Sequence, residues 1–373
     1  MSLNIHPKYT KEFIGHEKEK KIFEDSFFNN TLHHSWLLEG PAGVGKATFA
    51  YSVVRAIFSR NHNEDKEISL FSGIKKESKN TLDFNFNEDN LIHKRVSKNT
   101  HVDLKIIEKI SIDKSPYSND IIPVNKVREV ENFFSKTAGE GGWRIALIDS
   151  LDNLNKYGSN SLLKILEEPP QNCLILLISN NKSKVLDTIR SRCRVLKFST
   201  LNDTNTKLII KNSTLNEDEE DLYKLNVISN GSPGKALIIL NNNGLEIYDY
   251  LINIFLLVPN IEENSIDKLM NYISNTKNSF GIKIINLLIT IFFNRTYRRS
   301  LKLIKLDISK NEKEAQEKLI NDYNVADIPL LWEKITTQLN ITSNFNLDKK
   351  QAIINLVDNI KDLKTNINVL DST

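Results

Sequence analysis

The chain has 373 residues, 40% of them hydrophobic and 26% charged, a balance that at this length belongs to a globular protein of two or three domains. Its 50 basic and 47 acidic residues nearly cancel, so bulk charge argues for neither a nucleic-acid nor a membrane partner. The only two cysteines, Cys173 and Cys193, exclude a disulfide framework and a four-thiolate zinc site and read as small buried hydrophobes of a reducing cytoplasm.

Residues 1–10 lack the apolar core of a signal peptide. The run 35–39 is short, apolar and followed at once by a glycine-rich turn, and 46–58 then has the apolar spacing of a helix. Between 59 and 100 the chain becomes rich in Asn, Lys, Ser and Glu and loses periodicity, which predicts an exposed polar insertion with 70–74 as its one ordered candidate. Helical spacing returns over 124–135, and the glycines of 139–142 turn the chain into a second apolar run, 144–149.

A helix is predicted over 155–168, stopped by Pro169 and Pro170. Apolar runs at 173–179 and 194–198 complete a set of four. Runs that are apolar on both faces and separated by helix-length stretches predict a parallel sheet covered on both sides. Beyond Phe198 only helices are expected: three short ones over 204–240, the last with Ser232 as cap and Pro233 in its first turn, then 282–293, 313–323, 329–339 and 349–363. The 282–293 stretch is interrupted by Lys283 and Asn286 and is too short to span a bilayer.

The turn after the first run reads Gly40-Pro41-Ala42-Gly43-Val44-Gly45-Lys46-Ala47-Thr48. It matches the phosphate-binding pattern Gly-x-x-x-x-Gly-Lys-[Ser/Thr], in which backbone N–H groups cradle phosphates, the lysine reaches the terminal ones and the hydroxyl binds magnesium. Ala47 removes that hydroxyl. Thr48 lies about 100° further round a helix and does not replace it. Asp149 ends the second run where a carboxylate can hold magnesium through water, but Ser150 follows where a water-orienting glutamate is usual. The bland alternative is a chance glycine turn before a helix.

Ser191-Arg192-Cys193 precedes the last apolar run, and Asn160-Ser-Leu-Leu-Lys-Ile-Leu-Glu-Glu-Pro-Pro170 closes the helix before the third. With the glycine loop, these segments resemble the clamp-loader branch of the AAA+ ATPases. Within it, Gly141-Gly-Trp-Arg144, Ser179-Asn180, Gly231-Ser-Pro-Gly234 and Asn346-Leu-Asp-Lys-Lys-Gln351 are similar to the delta-prime group of bacterial DNA polymerase III, well over 13–245 and more loosely beyond.

The resemblance implies an α/β plus all-α architecture: an AAA+ P-loop module with a parallel sheet over 1–198, a helical lid over 199–245 and a helical collar over 246–373. It implies a stator that assembles with delta and gamma or tau subunits through its C-terminal helices, meets sliding clamp and primed DNA in the complex, and presents Arg192 to the nucleotide of a neighbour. The alternative is a gamma-like subunit that hydrolyses ATP itself. From spacing alone Arg192 is equally a solvent-facing residue at a helix end.

No zinc or required cofactor is expected, and at most weak ATP or ADP binding in the 40–48 loop. A terminal-phosphate-sensing arginine would stand where Gly234 is, with Lys235 the nearest cation. Lys126 and Arg128 are DNA-contact candidates by the same likeness, against the plainer reading of a solvated helix face. His16, in Phe13-Ile-Gly-His-Glu17, is expected either beside a base or as an exposed or capping residue, and Trp36, Trp143 and Trp332 as core or interface anchors.

Overall fold

The computed structural model describes residues 6–67, 81–108, 122–140, 142–214, 218–258, 260–261, 263–276, 280–345 and 347–370. In chain order the first elements are α1 (Glu17–Phe28), β1 (Ser35–Glu39), α2 (Lys46–Glu67), α3 (Leu91–Ser97), β2 (Leu104–Glu108) and α4 (Val124–Phe134). They are followed by β3 (Arg144–Asp149), α5 (Lys156–Glu167), β4 (Cys173–Ser179), α6 (Asp187–Arg190), β5 (Arg194–Lys197) and α7 (Asp203–Ser213). The five strands form one sheet in the order β2-β3-β4-β1-β5 with every neighbouring pair parallel.

Alternation along the strands supplies both faces. Trp36, Leu38, Ile145, Leu147, Leu174 and Leu176 pack with Phe49, Val53, Val54 and Ile57 of α2. Leu37, Ala146, Ile148, Ile175 and Leu177 pack with Val127 and Val130 of α4 and Leu162 and Ile165 of α5. All residues of β1 and β4 are buried, which is why both read as continuous apolar runs. The edge strand β2 went unread: only Ile107 of its five residues is fully buried, and Lys105 and Glu108 break the apolar signal.

The 59–100 segment departs from the expected exposed polar insertion. Helix α2 runs on to Glu67, and Leu82, Phe84, Ile92 and Val96 are buried in the same core as Phe49 and Val54. Phe84 stacks on Phe49 with ring centroids 5.9 Å apart. Apolar residues spaced too irregularly to reveal an element still fill a core when the chain folds back on α2. The 70–74 candidate lies outside the described residues.

Two compact units result. The sheet unit takes in α7 and the short segment Gly231–Lys235. The helical unit takes in residues Thr214–Asn230 and those from Ala236 onward. Its helices are α8 (Glu219–Ser229), the body of α9 (Pro233–Asn241), α10 (Gly244–Leu257), α11 (Glu263–Asn275), α12 (Phe280–Ser300), α13 (Lys310–Asp322), α14 (Asp327–Phe345) and α15 (Lys349–Leu370). Phe255 of α10 stacks on Phe292 of α12 at 4.3 Å.

At the centre of the helical unit lies a fully buried carboxylate, Glu312. Arg295 donates to it from Nε at 2.6 Å and Nη2 at 3.0 Å, Tyr248 from its hydroxyl at 2.8 Å and Gln316 from Nε2 at 2.9 Å. The peptide N–H of Ile308 completes the set at 3.2 Å. With both oxygens saturated the charge is tolerated; removing it alone strands a buried guanidinium. Glu312→Ala is expected to lower unfolding stability by about 3–5 kcal/mol, read as a shift of the urea midpoint, whereas Glu317→Ala, whose ion pair with Lys313 is exposed, should shift it by less than about 0.5 kcal/mol.

Candidate functional site

The glycine loop joins the C-terminal end of β1 to the first turn of α2, so the N–H groups of the loop face the helix-N-terminal position where anions bind. Its carbonyls point the other way, and each is taken up by the chain. Lys46 Nζ donates to Gly40 O at 2.7 Å and Pro41 O at 2.5 Å. Ser232 Oγ donates to Ala42 O at 2.8 Å, and the N–H of Gly234 to Gly43 O at 2.9 Å. His16 Nε2 lies 2.9 Å from Val44 O, and the N–H of Phe49 donates to Gly45 O at 2.9 Å.

Two glycines make this closure possible. Gly43 has φ +79°, and a Cβ there would meet Ser232 Oγ at 2.5 Å. A Cβ on Gly234 would come within 2.7 Å of Gly43 Cα. The position at which the resemblance places a phosphate-sensing arginine is therefore occupied by backbone against backbone. Ser232, expected as a helix cap, spends its hydroxyl on the loop.

Burial holds Lys46 below the ordinary lysine range, at about 8, while Asp149 and Asp152 act to raise it. Asp149 ends β3 in register with Ile178 of β4. Asp152 is engaged elsewhere as well: it accepts from Ser150 Oγ at 2.9 Å, Ser179 Oγ at 2.7 Å, Asn180 N at 2.6 Å and Asn181 N at 3.3 Å. It fastens the end of β3 to the end of β4.

His16 is buried, neither exposed nor a side-chain cap. Its ring is 4.8 Å from that of Phe198 and stacks with Phe13, and burial lowers its pKa. The neutral ring with Nε2–H facing Val44 O satisfies both observations. Thr48 and Ala47 are half-buried.

Arg192 sits at the other end of the strands. It follows α6 and precedes β5, whose Arg194 is in register with Trp36, and Ser35 Oγ donates to its carbonyl at 2.7 Å. The guanidinium is about one-third exposed; Nη1 donates to Thr188 O at 2.9 Å, and Nη2 lies 2.6 Å from Glu167 Oε1. Lys126 and Arg128 are both exposed on α4, Lys126 in an ion pair with Glu129 at 2.9 Å. The structure thus gathers residues 40–48 and Asp149 and leaves Arg192 apart from them.

A family model described as "DNA polymerase III, delta subunit" matches residues 15–202, half of the chain and the whole of the sheet with its loop. The chain belongs to that DNA polymerase III family. The "DNA polymerase III subunit gamma" of Buchnera aphidicola from Schizaphis graminum is 29% identical over 240 residues, 63% of this chain and 58% of that protein. The chain thus spans under two thirds of that relative's length. The "DNA polymerase III subunit delta'" of Buchnera aphidicola from Baizongia pistaciae is 26% identical over 74% of each chain. Among solved structures, a gamma-subunit-related protein of Thermotoga maritima shares 14% identity over 93% of this chain and 99% of its own, with a TM-score of 0.41; strand order, not this distant likeness, carries the fold.

Several residues of this DNA polymerase III family chain went unread. Glu39, buried at the end of β1, pairs with Arg190 at 3.0 Å, and the ends of both elements had to be placed before the pair could be seen. The bonds of Asp152 to Ser179 and of Ser232, expected only as a cap, to Ala42 O depend on the same placement. No group of three or more His, Cys, Asp or Glu is placed to hold a metal ion among the described residues, nor is any described helix long and apolar enough to cross a membrane.

The buried lysine has a measurable consequence. Its folded pKa of about 8 lies below the 10.5 of an ordinary lysine, so between these values the unfolded chain binds more protons and stability rises with pH. The destabilisation is present in full below about pH 8 and relieved as pH approaches 10.5, by roughly 1.4 kcal/mol per unit. Urea unfolding of wild type and Lys46→Met at pH 7.5 and 10 should show the difference between them moving in favour of wild type at the higher pH.

Proposed function

We propose that the chain is a delta-prime-type stator of the DNA polymerase III clamp loader, lending Arg192 to the ATP site of a neighbouring subunit while its own loop turns over little or no nucleotide. The observation that carries this is the separation of Arg192 from the glycine loop. Arg192 is tied to Ser35 at the start of β1, and the loop begins after Glu39 at its end. Four strand steps of about 3.3 Å put the two roughly 13 Å apart along the strand, at opposite ends of the sheet. A guanidinium so placed serves a phosphate outside its own subunit, where its planar fork and permanent charge suit phosphate oxygens.

The loop itself supports the second half of the reading. Ala47 offers magnesium no oxygen, Ser150 stands where a glutamate orients water, and Lys46 is held on the loop's own carbonyls at 2.7 and 2.5 Å. MgATP does not fit this donor set. Weak ATP or ADP binding through the N–H cradle is compatible with it, and the chemistry here requires neither cofactor nor zinc. Family membership supports partners of the DNA polymerase III type: delta and gamma or tau subunits met through the collar helices of 246–373, and the sliding clamp and primed DNA in the assembled complex. Lys126 and Arg128 remain the proposed backbone contacts to DNA.

The gamma-type relatives favour a second reading, a subunit that hydrolyses ATP itself through Lys46. The two separate cleanly. On the stator reading, the isolated chain has negligible ATPase, and Arg192→Ala assembles normally yet lowers hydrolysis at the adjoining site by about 10³-fold or more. On the motor reading, the isolated chain turns over ATP and Lys46→Met abolishes it. Undiminished hydrolysis in complexes carrying Arg192→Ala would refute the stator.

A further inference from the structure

We propose that Glu167 is a positioning residue for Arg192, acting with the turn that precedes β1. The inference rests on reading Arg192 as a group lent to a neighbour. Glu167 is the last residue of α5, followed by Glu168. Two carboxylates at a helix C-terminus oppose the helix dipole, so local helix energetics do not explain them. The ion pair of Glu167 with Arg192 is also poor material for stability: the two side chains are 49% and 35% exposed, and exposed pairs contribute little. What the pair does supply is orientation.

Glu167 Oε1 holds Nη2 at 2.6 Å while Thr188 O, on the preceding helix, holds Nη1 at 2.9 Å. With both terminal nitrogens tethered, and Nη1 also 3.4 Å from Ser191 Oγ, rotation about the last side-chain bonds is restrained. A guanidinium has five N–H donors, so these contacts leave enough to meet a phosphate.

The two segments that carry the pair are themselves clamped to one short turn. His34 Nε2 lies 3.0 Å from Leu166 O, one residue before Glu167, and Ser35 Oγ donates to Arg192 O at 2.7 Å. Burial keeps the His34 pKa below the ordinary histidine value, consistent with a neutral ring donating to that carbonyl. Pro169 and Pro170 end α5 immediately beyond. Residues 34 and 35 thus set the distance between the main chains bearing carboxylate and guanidinium, and Glu167 converts that distance into a direction for Arg192. Catalysis by a charge aimed in advance is sensitive to such placement, a shift of 1 Å costing on the order of 100-fold.

The test uses complexes reconstituted from the full chain and the ATP-hydrolysing subunits of the same loader, with assembly checked by gel filtration. Glu167→Ala, and Glu167→Asp, which keeps the charge but falls short by a methylene, are expected to lower kcat about tenfold with KM for ATP unchanged. Glu167→Gln retains an acceptor oxygen and should recover to within about threefold of wild type. In an Arg192→Ala background Glu167→Ala should cost nothing further. A kcat for Glu167→Ala and Glu167→Asp equal to or above wild type, with Arg192→Ala impaired, overturns the positioning role and leaves the stator intact. Arg192→Ala behaving as wild type overturns the stator reading itself. If Glu167→Ala does not assemble, Glu167→Asp and Glu167→Gln decide between the same outcomes.

Discussion

A turn that gathers inward-facing N–H groups must point its carbonyls outward, and all six carbonyls of residues 40–45 find donors within the chain. In this protein they come from five groups: Lys46 twice, the Ser232 hydroxyl, the Gly234 peptide, the His16 ring and the Phe49 peptide in the first turn of the helix. The same contacts bring Gly231–Lys235 onto the sheet unit, leaving no room for a side chain at position 234.

That closure gives the lysine a different occupation from the one its motif advertises. A lysine reaching into solvent keeps a high pKa; this one is pulled down to about 8 by its burial, against the pull of Asp149 and Asp152 in the other direction. Asp152 is engaged in the same way, accepting from two hydroxyls and two peptide N–H groups. The lysine and Asp152 are thus both engaged in hydrogen bonds within the fold.

The parallel sheet then separates two groups of residues by geometry. Parallel strands place all their C-terminal ends on one side, where the loop, Asp149 and Asp152 collect. The segment entering β5 is necessarily at the opposite side, and it carries Arg192. One strand, β1, spans the distance between them, with Ser35 touching the arginine segment and Glu39 leading into the loop. Glu39 also receives Arg190, so both ends of that strand are bonded to the segment around α6.

The buried strands, the helices after them, the glycine loop and the loss of its hydroxyl at Ala47 were legible in the residues alone, because each is written in local pattern: continuous apolar runs, helical spacing, glycines at fixed offsets. The edge strand β2 and the docking of Leu82 and Phe84 were not, since a half-exposed strand and an irregular apolar scatter leave no period to detect. Only the tertiary structure decided what the polar side chains do. Lys46 on Gly40 O, Ser232 on Ala42 O, Asp152 across two strand ends and Glu167 on Arg192 each, apart from Lys46, join residues 25 or more positions apart or depend on such a joining. Hydrogen bonds are set by angstrom-scale distances between chain segments, and sequence spacing does not encode such distances until the sheet has brought the segments together.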